Sequence, residues 1–155
     1  MRRIFSTLAL ATVFSFGSAN AFALETGVAE VDELIAALEA DILESCTGAS
    51  KDATSCAALL QVFAGLVTPA GFAALPGYTA LVTANPALEE VVVAAVTSPA
   101  YETSFATTQT ALGGEIATAN AADPLFAQAI APALTSATGV NTAGGNENPA
   151  SPTTP

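Results

Sequence analysis

The sequence contains no histidine and no tryptophan, and it has only three basic residues. Without histidine it can form neither a Ser–His–Asp triad nor a Cys–His pair, and the commonest zinc ligand is missing. Phosphate-binding glycine loops, the nucleophile-elbow pattern and the EF-hand pattern are also absent. We therefore predict a protein that is not an enzyme and has no catalytic, cofactor-binding or metal-binding residues.

The basic residues are Arg2, Arg3 and Lys51, whereas all fourteen acidic residues follow residue 23. If the first 23 residues are removed, the net charge becomes 1 − 14 = −13. Nucleic acids and anionic membrane surfaces bind proteins through lysine and arginine, so the charge argues against both as partners. It is compatible with a cationic partner but does not identify one.

The N-terminus has the pattern of a secretory signal peptide. Arg2 and Arg3 precede a mostly apolar stretch over residues 4–16, and small residues follow, ending in Ala21-Phe22-Ala23. We predict cleavage after Ala23 and export to the periplasm or the extracellular medium. The alternative is an uncleaved membrane anchor, although the apolar stretch is short for a membrane span.

The two cysteines lie at the ends of two predicted helices, of which the first can start at Thr26 or Gly27. The apolar residues of the first helix share one face, and Cys46 lies at the edge of that face at the helix end. After a short loop, Cys56 begins the apolar face of a second helix over residues 53–67, with Leu59, Leu60, Phe63 and Val67. In an exported chain this arrangement predicts a structural Cys46–Cys56 disulfide that joins a helical hairpin.

The first helix also carries a group of acidic residues that the helical period places opposite its apolar face. This acidic strip consists of Glu30, Glu33, Asp41 and Glu44. Asp32 and Glu39 fall on one flank of the helix. The acidic strip is our candidate interaction face, and the alternative is a face that is simply solvated.

The remaining chain is divided by four pairs in which a capping residue precedes a proline: Thr68-Pro69, Asn85-Pro86, Ser98-Pro99 and Asp123-Pro124. Such pairs are typical of helix starts. We expect Tyr101, Phe105, Thr108 and Leu112 to form the buried stripe of one helix, which Gly113-Gly114 would end. The last helix is predicted over residues 124–137, with a kink at Pro132.

These signals predict an all-α fold, a small alanine-rich bundle of about five helices that contains the disulfide-linked hairpin. The alternative is an α+β fold with a minor hairpin over residues 78–96, where β-branched residues are frequent. The predicted organisation is a signal peptide (1–23), a helical domain (24–138) and a disordered C-terminal tail (139–155) that lacks large apolar side chains.

Three functional hypotheses fit these observations. The first is a non-catalytic protein-binding or accessory module of the bacterial envelope, with a bacterial origin suggested by the short signal peptide. The second is a structural envelope or extracellular matrix component that self-assembles, suggested by alanine- and threonine-rich helical faces, by little charge after residue 52 and by a flexible tail. The third is a carboxylate-dependent hydrolase, which the scarcity of aromatic residues argues against.

Overall fold

The structure is a computed structural model, and it describes residues 24–139. The predicted signal peptide and nearly all of the predicted disordered tail lie outside the described residues. The helices in chain order are α1 (Ala29–Thr47), α2 (Ala53–Gly65), a 3₁₀ helix (Pro69–Ala74), α3 (Tyr78–Ala84), α4 (Ala87–Val96), α5 (Pro99–Ala119) and α6 (Pro124–Thr138). The all-α prediction is confirmed, and α3 and α4 occupy the stretch for which a β-hairpin was the alternative.

Three of the four proline pairs start helices as predicted. The side chains of Thr68, Ser98 and Asp123 each accept a hydrogen bond from a backbone N–H three residues further on. The fourth pair differs, because Asn85 ends α3 and Pro86 itself occupies the capping position of α4. Local capping therefore accounts for most of the helix boundaries in the second half of the described chain.

Two predicted boundaries around α1 and α5 were wrong. The first helix was expected to start at Thr26 or Gly27, but Gly27 has a positive φ of 81° and α1 begins at Ala29. Gly113-Gly114 was expected to end a helix, but α5 continues through both glycines to Ala119. The buried stripe of α5 extends past them to Ile116, and the packing of this last part outweighs the low helix propensity of glycine.

The helix α2 lies between α1 and α6, while α5 packs against both α6 and α1. The short helices α3 and α4 and the 3₁₀ helix cover one side of this bundle. The buried core is made mainly of aliphatic and phenylalanine side chains from α1, α2, α5 and α6. Its largest fully buried members include Ile35, Ile42, Leu60, Phe63, Phe72, Leu112, Ile116, Ile130 and Leu134.

The end of α2 differs from the prediction. Val67 was expected in the core, but it is 52% exposed and Leu66 is buried instead. The reason is that α2 ends at Gly65, after which the backbone no longer follows the helical period. At this point the chain turns sharply, so that Gly71 of the 3₁₀ helix packs directly against the backbone of Gly65.

Candidate functional site

The predicted disulfide is present and lies in the core. The sulfur atoms of Cys46 and Cys56 are 2.02 Å apart, and neither residue is accessible to solvent. The connecting loop is closed by Asp52, whose carboxylate caps α2 by accepting the Ser55 N–H at 2.8 Å. Because the bond is buried, it fits a structural role better than a redox role, which needs an accessible sulfur.

A buried asparagine joins the end of α5 to this disulfide-linked hairpin. The Nδ2 atom of Asn120 donates to the backbone carbonyls of Cys46, at 2.8 Å, and Ile116, at 2.9 Å. Its Oδ1 atom accepts a hydrogen bond from the Lys51 ammonium at 2.8 Å. This contact was not anticipated, because Asn120 lies beyond Gly113-Gly114, where the preceding helix was expected to end.

Lys51 is engaged at the same end of the bundle. Its Nζ atom forms an ion pair with Asp123 at 2.9 Å and lies 4.6 Å from the centre of the Phe126 ring. The hydrogen bond from Lys51 lowers the pKa of the Asp123 carboxyl, with a further contribution from the Phe126 N–H. Lys51, the one basic side chain among the described residues, therefore links α6 to the loop after α1.

The acidic strip is exposed in the structure. The four residues of the strip lie on the solvent side of α1, and all four are exposed: Glu30, Glu33, Asp41 and Glu44. At 100° per residue they fall within an arc of about 80°. They extend over about 21 Å of the helix, at 1.5 Å per residue. The strip is a coherent surface, and its role as an interaction face remains a prediction.

Glu39 behaves differently from the acidic strip, although it is on the same helix. It is only 5% exposed, and its Oε1 atom is fully enclosed without a hydrogen-bond partner among the described residues. Burial raises the pKa of its carboxyl to about 8. The sequence placed Glu39 on the flank of α1, and the available clue was its position four residues after Ile35 and three before Ile42.

Tyr101 of α5 lies close enough to Glu39 for the charge of the ionised carboxyl to affect the pKa of the Tyr101 phenol. Its hydroxyl donates to the Leu66 carbonyl at 2.7 Å, and its ring stacks with Phe105 at 6.1 Å. The pKa of the Tyr101 phenol is raised mainly by burial, and further by the carboxyls of Asp32 and Glu39. Asp32 in turn accepts hydrogen bonds from the backbone N–H of Thr26 at 2.6 Å and its hydroxyl at 2.7 Å.

Two depressions lie on the surface near α5. One, of about 330 Å³, is lined by Tyr101 together with Thr26, Ser98 and Ser104 among other residues. The other, of about 600 Å³, follows the outer side of α5 along Pro99, Glu102, Thr103, Ala106, Thr107 and Thr110. Tyr101 was predicted to lie in the buried stripe of its helix, and Tyr78 is the other tyrosine of the chain. Both are buried, and Tyr101 also forms a wall of the smaller depression.

Within residues 24–139, no group of three or more Cys, Asp or Glu side chains is arranged to hold a metal ion. Nor is any helix of this range both long enough and apolar enough to cross a membrane. Comparison of the chain with protein-family models, curated proteins and solved structures found no match.

Proposed function

We propose that the protein is an exported, non-catalytic binding module that recognises a cationic protein surface through the acidic strip of α1. The observation that carries this proposal is the exposure of four carboxylates along one side of a helix whose other side is buried. Lys51, the one basic residue after the predicted signal peptide, is paired with Asp123 instead of with the acidic strip.

The surroundings of α1 support this proposal because they hold the helix at both ends. At its start, Thr26 binds Asp32 through two hydrogen bonds. At its end, the Cys46–Cys56 disulfide and the Asn120 side chain fix the last turn. Because the helix is already held in place, binding of a partner does not have to offset the conformational entropy lost when a flexible helix becomes ordered.

The charge pattern supports a basic protein surface as the partner. A lysine- or arginine-rich surface would be attracted by the net negative charge and would meet the acidic strip with complementary potential. Such an interaction weakens with added salt, because the carboxylates are solvent-exposed and are screened over about 10 Å at 0.1 M ionic strength.

The disulfide supports the exported location, because such bonds persist in oxidising compartments outside the cytoplasm. N-terminal sequencing of the protein isolated from its producing cells tests this part of the proposal. We expect a mature chain that begins at Leu24, found outside the cytoplasm. Recovery of the intact chain in the cytoplasm would contradict it.

The binding proposal is tested by neutralising the acidic strip. The variant carries Glu30→Gln, Glu33→Gln, Asp41→Asn and Glu44→Gln. Its control neutralises four other exposed acids on α4 and α5 and changes the net charge by the same amount: Glu89→Gln, Glu90→Gln, Glu102→Gln and Glu115→Gln. Proteins from the envelope and surrounding medium are captured on each variant, and a captured partner is then purified and titrated by calorimetry.

We expect the wild type and the control to bind the same basic partner, with an affinity that falls as salt is raised. The strip variant should bind it at least about tenfold more weakly, which corresponds to the loss of about 1.4 kcal/mol. Equal affinity of the strip variant and the wild type would refute this interaction surface.

A second candidate, self-assembly, is favoured by the threonine-rich outer side of α5. Thr103, Thr107 and Thr110 donate their hydroxyls to carbonyls of their own helix, so these hydroxyls are already partnered before any contact forms. Exposed Val91 and Val93 on α4 add apolar surface nearby in the chain. Sedimentation over a wide range of protein concentration tests this candidate, and a monomer at every concentration would exclude it.

A further inference from the structure

The strongest unexplained feature of the described chain is a carboxyl group placed in the apolar core. Glu39 lies on the buried side of α1 between Ile35 and Ile42, and its Oε1 atom has no hydrogen-bond partner among the described residues. A buried carboxylate without a compensating partner is strongly unfavourable. The group avoids that state by keeping its proton, which agrees with the raised pKa of about 8.

We infer that Glu39 is a pH-sensitive switch at the contact between α1 and α5. In its uncharged form it allows the two helices to pack around Tyr101, and loss of its proton at alkaline pH loosens that packing. The proton passes to a base in the solvent, and the carboxylate that remains needs water or a cation. Because α1 holds Glu39 inside the bundle, water reaches the carboxylate only if α1 and α5 move apart.

The helices packed against α1 provide no positive charge that would stabilise the ionised form. These helices are α2, α3 and α5. The segment of α2 has no titratable side chain apart from the disulfide-bonded Cys56, and α3 contributes only Tyr78.

On α5 the titratable groups are Tyr101, which is buried, and Glu102 and Glu115, which are exposed. Asp32 on α1 adds a second negative charge that acts on Tyr101. Lys51 is paired with Asp123. Ionised Glu39 would therefore add its charge to that of Asp32 near Tyr101, and Lys51, the one basic residue among residues 24–139, is engaged elsewhere.

The direction of the pH effect follows from the proton balance. In the unfolded chain the carboxyl would lose its proton near its ordinary pKa of 4.5, whereas in the folded chain it keeps the proton up to about 8. Between these values the folded state binds more protons than the unfolded state. The contribution of this group to the stability of the fold is therefore fully present below the lower value and falls as the pH rises through this window.

The first test measures the protonation of Glu39 directly. The side-chain carboxyl carbons are followed by ¹³C NMR from pH 3 to pH 9, and the Glu39 resonance is assigned by its absence in Glu39→Gln. We expect this resonance to titrate well above the other glutamates, with a midpoint near 8. A midpoint below about 5, near that of an ordinary glutamate, would overturn the inference.

The second test asks whether protonation controls the contact between α1 and α5. Since the chain contains only two tyrosines, Tyr78→Phe leaves Tyr101 as its single tyrosine reporter. Near-ultraviolet circular dichroism of this variant is recorded between pH 6 and pH 9, where burial keeps the Tyr101 phenol protonated. We expect the Tyr101 signal to change with the same midpoint as the Glu39 resonance.

The matched controls are two double variants. One combines Tyr78→Phe with Glu39→Gln. The other combines Tyr78→Phe with Glu33→Gln, which removes an exposed acid from the same helix. The pH-dependent change in the circular dichroism signal should disappear in the first double variant and persist in the second. A pH-dependent signal that survives Glu39→Gln would show that another group is responsible and would refute the switch.

A third measurement does not depend on any Glu39 variant being folded. The unfolding equilibrium of the wild type and of Glu33→Gln is measured in urea at pH 5 and pH 8. We expect the unfolding constant of both to rise at least about tenfold over this interval, by the linkage between proton binding and stability. An unfolding constant that stays the same or falls would be incompatible with a proton held by the folded state.

Discussion

The side-chain amide of Asn120 donates a hydrogen bond to the backbone carbonyl of Cys46, 74 residues earlier in the chain, at 2.8 Å. This bond joins the last turn of α5 to the last turn of α1, directly beside the disulfide. The same side chain accepts from Lys51, so one buried amide connects α5, α1 and the loop that leads into α2.

Replacement of this asparagine should therefore be strongly destabilising. Asn120→Ala removes three side-chain hydrogen bonds, to Cys46, Ile116 and Lys51, and leaves the Cys46 carbonyl without this donor. We expect the free energy of unfolding to fall by about 2–3 kcal/mol, from the unpaired buried carbonyl and the lost packing. Urea unfolding measures the change, with Asn85→Ala at an exposed position as the control. Equal effects of the two substitutions would contradict this role.

The disulfide should stabilise the fold and resist reduction while the protein is folded. Replacing both Cys46 and Cys56 with alanine should lower the free energy of unfolding by about 3 kcal/mol, since the bond closes a short loop. Circular dichroism should still show a helical protein at low temperature. In the wild type, thiols should react with a labelling reagent under reducing conditions only after denaturant is added. Rapid labelling without denaturant would argue against a buried bond.

Two glycine-to-alanine substitutions should have opposite effects. A Cβ atom on Gly71 would overlap the backbone carbonyl of Gly65, so Gly71→Ala should destabilise the turn between α2 and the 3₁₀ helix by at least about 2 kcal/mol. A Cβ atom on Gly114, inside α5, would meet nothing within 4 Å. Gly114→Ala should stabilise the protein by about 0.5–1 kcal/mol through helix propensity. Thermal unfolding of both variants provides the comparison.

The Tyr101 hydroxyl should contribute to stability through its buried hydrogen bond. Tyr101→Phe keeps the aromatic stacking but leaves the Leu66 carbonyl without this donor, at an expected cost of about 1–3 kcal/mol. Tyr78→Phe is the control, because the Tyr78 ring packs against Phe72 at 5.5 Å and keeps that contact in the variant. Equal unfolding midpoints for the two variants would show that the hydroxyl contributes little.

The features that the sequence predicted well are local ones. The cysteines, the short loop between them and the apolar faces of two neighbouring helices are sufficient to predict the disulfide-linked hairpin. The capping residues Thr68, Ser98 and Asp123 act within three residues of their own positions. Such signals require no knowledge of the tertiary arrangement.

The errors concern positions whose environment is set by distant parts of the chain. Gly113-Gly114 lies inside α5 because the following turns are held by Ile116 in the core and by Asn120 on Cys46. Glu39 is buried because α1 packs against several helices, and its spacing from Ile35 and Ile42 was the one sign of this in the sequence. The acidic strip was placed correctly on the solvent side, but composition and helical period do not identify a partner for it.

The position of Lys51 inside the disulfide loop affects how the protein can be detected. After the predicted cleavage site it is the only residue at which trypsin can cut, and the Cys46–Cys56 bond would hold the two products together. After reduction, a standard tryptic digest would yield residues 24–51 and one very large peptide covering residues 52–155. Mass spectrometry of this protein therefore calls for a protease that cuts at acidic residues, whereas cleavage at Lys51 alone would add only the mass of one water to the unreduced chain.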